Sequence, residues 1–144
     1  MVAAQFEGDG ATDRLDHIER AARVLHIEDD PAMAEMYALG LEMHGFEVLK
    51  AANGLAGLES ASANAPDFLV IDVNLPLLDG LQVLERLRND PKTAGIPAVL
   101  LTAYNPRDYQ ERAAALGVEQ VLLKSATTPS GLAMAIRQWL IRAA

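Results

Sequence analysis

Apolar residues follow two alternating patterns along the chain, short strand-like segments and longer stretches with helical spacing. The short segments cover residues 24–27, 46–50, 68–71, 96–101 and 118–123. Their length and apolar character are typical of strands in a parallel sheet. The stretches that follow each of them place apolar residues three or four positions apart, which indicates amphipathic helices. Strand and helix therefore alternate five times.

Local signals mark where these helices begin and end. Polar caps, most of them followed by proline, predict four helix starts, at Asp30-Pro31, Asn53-Gly54, Asn105-Pro106 and Thr128-Pro129. Three helix ends are predicted at His44-Gly45, Ala65-Pro66 and Gly117. The pattern predicts an α/β fold in which right-handed crossovers place helices on both faces of a parallel sheet.

The first part of the chain differs in character from the rest. Residues 1–21 begin with small and acidic residues such as Glu7-Gly8-Asp9-Gly10, which predicts a mobile tail. Leu15 and Ile18 then fall at helical spacing, which indicates one short helix before the domain. We expect the domain itself to cover residues 22–144.

Composition excludes several classes of function. The net charge is −8, from 20 acidic and 12 basic residues, so direct nucleic-acid binding is not expected. There is no cysteine, which excludes thiolate metal sites and thiol nucleophiles. Because the sequence contains neither a signal peptide nor an apolar run of about 20 residues, we expect a cytoplasmic protein without a membrane span.

Four of the predicted strands end in polar residues of complementary chemistry. They are Glu28-Asp29-Asp30 after the first strand, Asp72 after the third, Thr102 after the fourth and Lys124 after the fifth. The carboxyl ends of parallel strands meet at one edge of the sheet, where open α/β folds bind ligands. Carboxylates, a hydroxyl and an ammonium together suit a divalent cation and a phosphoryl group. The sequence therefore predicts such a site at this edge.

Four sequence features occur together at the predicted strand ends. They are the acidic cluster after the first strand, the Asp-x-x-x-Pro-x-x-Asp-Gly motif from Asp72 to Gly80, Thr102-Ala103 and Lys124. With these features, the chain from about Ala22 to Arg142 resembles the receiver domain of bacterial response regulators, including chemotaxis regulators. The resemblance implies a flavodoxin-like (βα)5 fold, a doubly wound parallel sheet with strand order 2-1-3-4-5.

The resemblance also implies a role for each residue of the site. Asp72 would be the phosphoacceptor, with Lys124 and Thr102 contacting phosphoryl oxygens. Mg²⁺ would be held by Asp29 and Asp72, by Glu28 through a water, and by the backbone carbonyl of Asn74. The domain would be a signalling phosphoacceptor and not an enzyme, assisting only its own phosphorylation and dephosphorylation.

The resemblance also implies the partners. The phosphoryl group would come from a histidine kinase or a histidine phosphotransfer protein. Phosphorylation would switch the face formed by the fourth helix, fifth strand and fifth helix, which a downstream protein or a fused output domain would read. The sequence leaves open whether the chain forms a homodimer, and whether it acts alone or as part of a larger protein.

Three residues depart from the family's usual pattern. Val121 stands where an aromatic residue is usual, and Tyr104 is a candidate to replace it on the same face. Ser125 replaces a proline, so we expect a trans bond after Lys124 and a different loop shape. His26 replaces an aliphatic residue in the first strand, and we interpret it as a core histidine with satisfied hydrogen bonds.

Two alternative functions remain at this point. Val121 and Ser125 would suit a receiver fold kept only as a phosphorylation-independent interaction platform, although the retained acidic and basic residues argue against it. The second alternative is a flavin-binding electron carrier on the same fold. The cluster Glu28-Asp29-Asp30 would repel the phosphate of that cofactor, which disfavours it.

Overall fold

The computed structural model describes residues 20–118 and 120–143, which form a five-stranded parallel sheet with helices on both faces. The strands are β1 (Arg23–Ile27), β2 (Glu47–Ala51), β3 (Phe68–Asp72), β4 (Ala98–Thr102) and β5 (Val121–Leu123). The helices are α1 (Pro31–Met43), α2 (Gly54–Asn64), α3 (Gly80–Arg88), α4 (Gln110–Ala115) and α5 (Pro129–Ala143). Apart from residues 20 and 21, the predicted N-terminal tail lies outside the described residues.

The strands are arranged in the order β2-β1-β3-β4-β5, all parallel. This confirms the predicted flavodoxin-like sheet. β3 lies at the centre, and all five of its residues are buried. Ile27 pairs with Ile71, and Thr102 pairs with Leu123, so the carboxyl ends of β1, β3, β4 and β5 lie at the same edge.

Alternate residues of the central strands pack into two separate cores. On one face, Val70 belongs to a core shared with Tyr37 and Leu41 of α1 and Ile136 of α5. On the other face, α2, α3 and α4 cover a core that contains Ile71. None of the helices in the described part of the chain has the length and apolar character that a bilayer span requires.

Most of the predicted helix boundaries agree with the structure. Asp30 caps α1 by accepting hydrogen bonds from the N–H groups of Ala32 and Met33, and Asn53 caps α2 by accepting from Ala56. The fourth helix differs from the prediction. Asn105 caps only a 3₁₀ turn, Pro106–Asp108, and the α-helix that follows has six residues.

The prediction that β5 begins at Val118 is wrong. The Val118 N–H donates to the Ala113 carbonyl, and Gly117 adopts a left-handed conformation with φ 78°. These contacts form a helix C-cap in which a buried Val118 packs as the residue after glycine. Val118 is therefore apolar because it closes α4, and the strand starts three residues later.

The start of α3 packs tightly against the end of β3. A Cβ atom at Gly80 would overlap the carbonyl oxygen of Asp72, so only glycine fits there. Asp79 accepts a hydrogen bond from the Gln82 N–H, and the Gln82 side chain accepts one from the Asp79 N–H. This capping box fixes the loop that follows Asp72.

A half-buried guanidinium joins three segments at the opposite, amino-terminal edge of the sheet. Arg88 donates from Nε to the Leu116 carbonyl at 2.8 Å and from Nη1 to the carbonyls of Ala94 at 3.0 Å and Ile96 at 2.6 Å. Burial lowers the pKa of Arg88. Arg88 thus connects the end of α3, the turn before β4 and the end of α4.

Leu77 is a fully exposed leucine with φ 67°, in the loop between β3 and α3. A left-handed conformation costs a residue with a Cβ about 1–2 kcal/mol, and this side chain has no burial to offset it. We expect Leu77→Gly to raise the free energy of unfolding by about 1 kcal/mol in urea denaturation, part of the gain being lost to the freedom of glycine in the unfolded chain.

The matched control is Leu77→Ala, which removes the exposed side chain but keeps the Cβ atom. It should leave the free energy of unfolding close to that of the unchanged protein. An equal gain in both variants would mean that the apolar side chain, and not the backbone conformation, lowers stability.

Candidate functional site

Three carboxylates lie together where β1 and β3 end. Asp72 is the last residue of β3, and Glu28 and Asp29 follow β1 directly. Each of the three has a carboxylate oxygen within 4.8 Å of the others. Glu28 and Asp72 are buried and Asp29 is exposed. Oxygen atoms at this spacing are suitable ligands for a hard divalent cation.

The backbone after β1 gives the three consecutive acidic residues different surroundings. The Glu28 N–H donates to the Ala51 carbonyl, so Glu28 continues the pairing of β1 with β2. Asp30 caps α1 with its side chain, while its own N–H donates to Oε2 of Glu28 at 3.1 Å. Asp29, between them, points to the exposed mouth.

Lys124 connects the two buried carboxylates. Its Nζ lies 2.7 Å from Oε1 of Glu28 and 2.9 Å from Oδ2 of Asp72. The side chains of Glu28 and Asp72 are only 1% and 4% exposed, and that of Lys124 is 15% exposed. Little solvent screens these contacts, so one ammonium balances two negative charges at close range.

The shifted pKa values follow from this burial. Burial raises the pKa of the Glu28 carboxyl, and the hydrogen bonds from Lys124 and from the Asp30 N–H offset only part of the rise. Burial alone would lower the pKa of Lys124. Its hydrogen bonds to Glu28 and Asp72 and their negative charges outweigh burial and raise it, so the ammonium stays charged at neutral pH.

A second group of contacts joins β3 to β4. Oδ1 of Asp72 accepts a hydrogen bond from the Asn74 N–H at 2.9 Å. The Asn74 side chain accepts from Oγ1 of Thr102 at 2.9 Å and from the Ala103 N–H at 3.2 Å, and it donates to the Tyr109 hydroxyl at 3.3 Å. The sequence interpretation gave Asn74 a role as a backbone ligand of the metal and assigned Tyr109 to a helix face, and it did not predict this network.

The two departures after β4 are accommodated without distortion. Val121 is buried in the core on the α2–α4 face. The bond between Lys124 and Ser125 is trans, as expected, and Lys124–Ala126 forms a 3₁₀ turn. Tyr104 is 62% exposed, and its N–H donates to Oγ1 of Thr102 at 3.0 Å. Its ring therefore lies outside the core next to the site.

The interpretation of His26 is half right. The residue is fully buried, and its ring meets the Tyr37 ring edge to face at a centroid distance of 5.5 Å. Its two ring nitrogens, however, have no hydrogen-bond partner among the described residues, so the expected satisfied hydrogen bonds are absent there. Burial and the charge of Lys124 lower the pKa of His26 to about 4, although Asp72 opposes them.

We expect His26 to make the protein less stable in acid. Its pKa falls from 6.5 when unfolded to about 4 when folded, so the unfolded state binds the proton more tightly. Stability from this residue is present above pH 6.5 and lost as the pH falls through 4. The loss is about 3 kcal/mol, from about 2.5 pH units at 1.36 kcal/mol each.

Urea denaturation between pH 7 and pH 4 measures this loss. His26→Leu should remove about 3 kcal/mol of the acid-dependent decrease in unfolding free energy. His44→Leu, at the exposed end of α1, is the matched control and should retain the decrease. Parallel pH profiles for His26→Leu and the unchanged protein would contradict the prediction.

Comparison with known proteins identifies the family. Residues 24–137, most of the described chain, match the response regulator receiver domain. The chain belongs to this family. As a receiver domain it is a phosphoacceptor of two-component signalling.

Individual relatives agree with the assignment. The receiver domain is 43% identical over 81 residues to the DNA-binding dual master transcriptional regulator RpaA of Synechocystis, covering 56% of this chain and 34% of that protein. It is 36% identical over 105 residues to the transcriptional regulatory protein PrrA of Mycobacterium tuberculosis, covering 71% and 43%. The chain thus spans about a third to two fifths of the length of these curated relatives.

Solved structures give the same fold. Two structures of the chemotaxis response regulator CheY4 of Vibrio cholerae superpose with TM-scores of 0.76 and 0.75 at 25% identity, each covering 82% of this chain and 98% of that one. The receiver domain of a signal transduction histidine kinase from Syntrophus aciditrophicus superposes with a TM-score of 0.74 at 30% identity, covering 84% and 91%.

Proposed function

We propose that this receiver domain accepts a phosphoryl group on Asp72, from a histidine kinase or a histidine phosphotransfer protein, in a Mg²⁺-dependent transfer. The observation that carries the proposal is the environment of the Asp72 carboxylate. It ends the central strand, contacts the Lys124 ammonium and the Asn74 N–H, and lies beside Glu28 and Asp29. Each contact suits the chemistry of an aspartyl phosphate.

The acidic residues fit the metal that the family implies. Mg²⁺ prefers oxygen ligands and keeps several waters, so a few carboxylates suffice. Asp29 and Asp72 would bind it directly, Glu28 through a water, and the Asn74 carbonyl would complete the protein ligands. Bound there, Mg²⁺ would neutralise negative charge on the transferred phosphoryl group.

Three residues of the chain would act in the phosphoryl transfer, one as nucleophile and two as contacts to phosphoryl oxygens. An oxygen of Asp72 attacks phosphorus in line, so an O–P bond forms while the N–P bond of the donor phosphohistidine breaks and the imidazole leaves with the electron pair. Lys124 moves its contact from Asp72 to a phosphoryl oxygen and keeps Glu28 as its other partner. The Thr102 hydroxyl donates a hydrogen bond to another phosphoryl oxygen.

The same contacts would carry the signal. When Thr102 turns to the phosphoryl group, the loop from Thr102 to Arg107 moves with it and repacks the face formed by α4, β5 and α5. A coupling of about 1–3 kcal/mol is enough to shift an existing equilibrium between two conformations. A downstream protein or a fused output domain would read this face, and the domain would assist only its own phosphorylation and dephosphorylation.

Intact-mass measurement after incubation with acetyl phosphate tests the proposal. We expect an increase equal to one phosphoryl group in the presence of Mg²⁺ and none with a chelator. Beryllofluoride, a mimic of the phosphoryl group, should bind only when Mg²⁺ is present. No adduct and no beryllofluoride binding would overturn the proposal and favour a phosphorylation-independent interaction platform.

A further inference from the structure

The Asn74 carboxamide makes three hydrogen bonds that join the β3–α3 loop to the loop and turn between β4 and α4. Its Oδ1 accepts from Oγ1 of Thr102 at 2.9 Å and from the Ala103 N–H at 3.2 Å. Its Nδ2 donates to the Tyr109 hydroxyl at 3.3 Å, and its backbone N–H donates to Asp72. We propose that this carboxamide is a positioning group that holds Thr102 in the resting conformation. It competes with the incoming phosphoryl group for the hydrogen bond that the Thr102 hydroxyl donates.

The hydrogen-bonding capacity of Thr102 makes the competition direct. A threonine hydroxyl has one proton to donate, and in this structure that proton goes to Oδ1 of Asn74. The hydroxyl oxygen accepts from the Tyr104 N–H at 3.0 Å, which holds it from the other side. Thr102 is fully buried, so water does not offer another acceptor. Its hydroxyl must therefore leave Asn74 before it can donate to a phosphoryl oxygen.

Tyr109 determines which end of the carboxamide faces Thr102. Because Nδ2 donates to the Tyr109 hydroxyl, Oδ1 is directed to the donors of Thr102 and Ala103. Tyr109 directly precedes α4 and packs against the core on that face. The carboxamide is thus held by a residue attached to the helix that would move on activation.

The inference deepens the proposed function and rests on it. In the resting state Oδ1 of Asn74 accepts the hydrogen bond from Thr102 that a phosphoryl oxygen would accept in the activated state. The free energy of these hydrogen bonds then opposes switching, so weakening them should make the activated conformation easier to reach. Replacing the side chain of Asn74 leaves its backbone N–H and carbonyl in place.

The first test needs no phosphoryl group. Amide hydrogen exchange at Ala103 is measured in the unphosphorylated protein without Mg²⁺. Asn74→Ala removes the acceptor of this N–H and should speed its exchange about fivefold, whereas Tyr109→Phe, which removes only the hydroxyl, should speed it about twofold. Tyr104→Phe is the matched control and should not change it. Unchanged exchange in Asn74→Ala would overturn the proposal.

The second test measures beryllofluoride affinity in the presence of Mg²⁺. Asn74→Ala should bind beryllofluoride about fivefold more tightly than the unchanged protein, because Thr102 no longer has to leave a partner. In a Thr102→Val background the same substitution should change affinity less than about twofold. A full fivefold effect without the Thr102 hydroxyl would show that Asn74 acts in another way and overturn the proposal.

The two tests separate this inference from the proposed function. If the unchanged protein binds no beryllofluoride, the phosphoacceptor proposal fails, while the exchange experiment still decides whether Asn74 holds the loop. If beryllofluoride binds but Asn74→Ala weakens its binding, the phosphoacceptor proposal stands. Asn74 then supports the activated state and not the resting one, which overturns the inference alone.

Discussion

Asp72→Asn is expected to abolish the phosphoryl adduct formed from acetyl phosphate. An amide oxygen is a far weaker nucleophile than a carboxylate oxygen, so no aspartyl phosphate can form at this position. The shape of the side chain is kept, and its oxygen can still accept from the Asn74 N–H. Intact-mass measurement in the presence of Mg²⁺ should show complete loss, and peptide mapping of the unchanged protein should place the added mass at Asp72.

Asp67→Asn is a matched control for this substitution. Asp67 directly precedes β3, whereas Asp72 ends it, and Oδ2 of Asp67 accepts from the Arg23 N–H at 2.8 Å. Asparagine can keep that hydrogen bond, so the adduct should form as in the unchanged protein. Asp29→Asn should form the adduct only at a higher Mg²⁺ concentration. An adduct that persists in Asp72→Asn would show that another carboxylate is the phosphoacceptor.

Lys124→Met is expected to lower the free energy of unfolding at pH 7 by about 3–5 kcal/mol when no Mg²⁺ is present. The substitution leaves Glu28 and Asp72 buried and close together without their shared cation. Urea denaturation at pH 7 measures the loss. The loss should become smaller as the pH falls. Burial raises the pKa of Glu28, and the hydrogen bond and charge of Lys124 offset part of the rise, so without them the folded variant takes up a proton there more readily than the unchanged protein does.

A surface ion pair supplies the control for Lys124→Met. Lys50 lies 2.9 Å from Glu35, but both side chains are about half exposed. Lys50→Met should therefore change the unfolding free energy by less than about 1 kcal/mol. Added Mg²⁺ should restore part of the stability of Lys124→Met and none of that of Lys50→Met. Equal stability of the two variants at pH 7 would contradict the argument from burial.

The fold was predictable because the strongest patterns in the sequence come from its most buried parts. β3 is a continuous apolar segment up to Asp72 because both of its faces are covered, and β4 is likewise apolar up to Thr102. Parallel pairing then places those ends at one edge. For this reason the sequence predicts that Glu28, Asp72, Thr102 and Lys124 lie together.

The boundaries of β5 could not be predicted in the same way. Val118 is as apolar as the strand residues that follow it, but it is buried because it closes α4 after Gly117. Apolar character records burial and does not distinguish a strand from a helix cap. Ile96 was assigned to β4 for the same reason, and it instead lies in the turn that Arg88 binds.

Contacts between side chains from distant segments could not be predicted from the sequence either. Asn74 and Tyr109 are 35 residues apart, and no spacing rule relates them. His26 was expected to have hydrogen-bond partners because buried polar groups usually do. Its ring meets the edge of the Tyr37 ring instead of a hydrogen-bond partner, which the position of His26 in the chain does not reveal.

The three carbonyl groups bound by Arg88 give the molecule two ends with different opening behaviour. Breaking that cluster would free three partly buried acceptors at once, so α3, the turn before β4 and the end of α4 should open together and rarely. The edge that carries Asn74, Thr102 and Lys124 is joined mainly by contacts between side chains, with one contact to backbone between its two loops, from the Ala103 N–H to Asn74. These are the contacts that a phosphoryl group on Asp72 would rearrange, so the sheet has one anchored end and one responsive end.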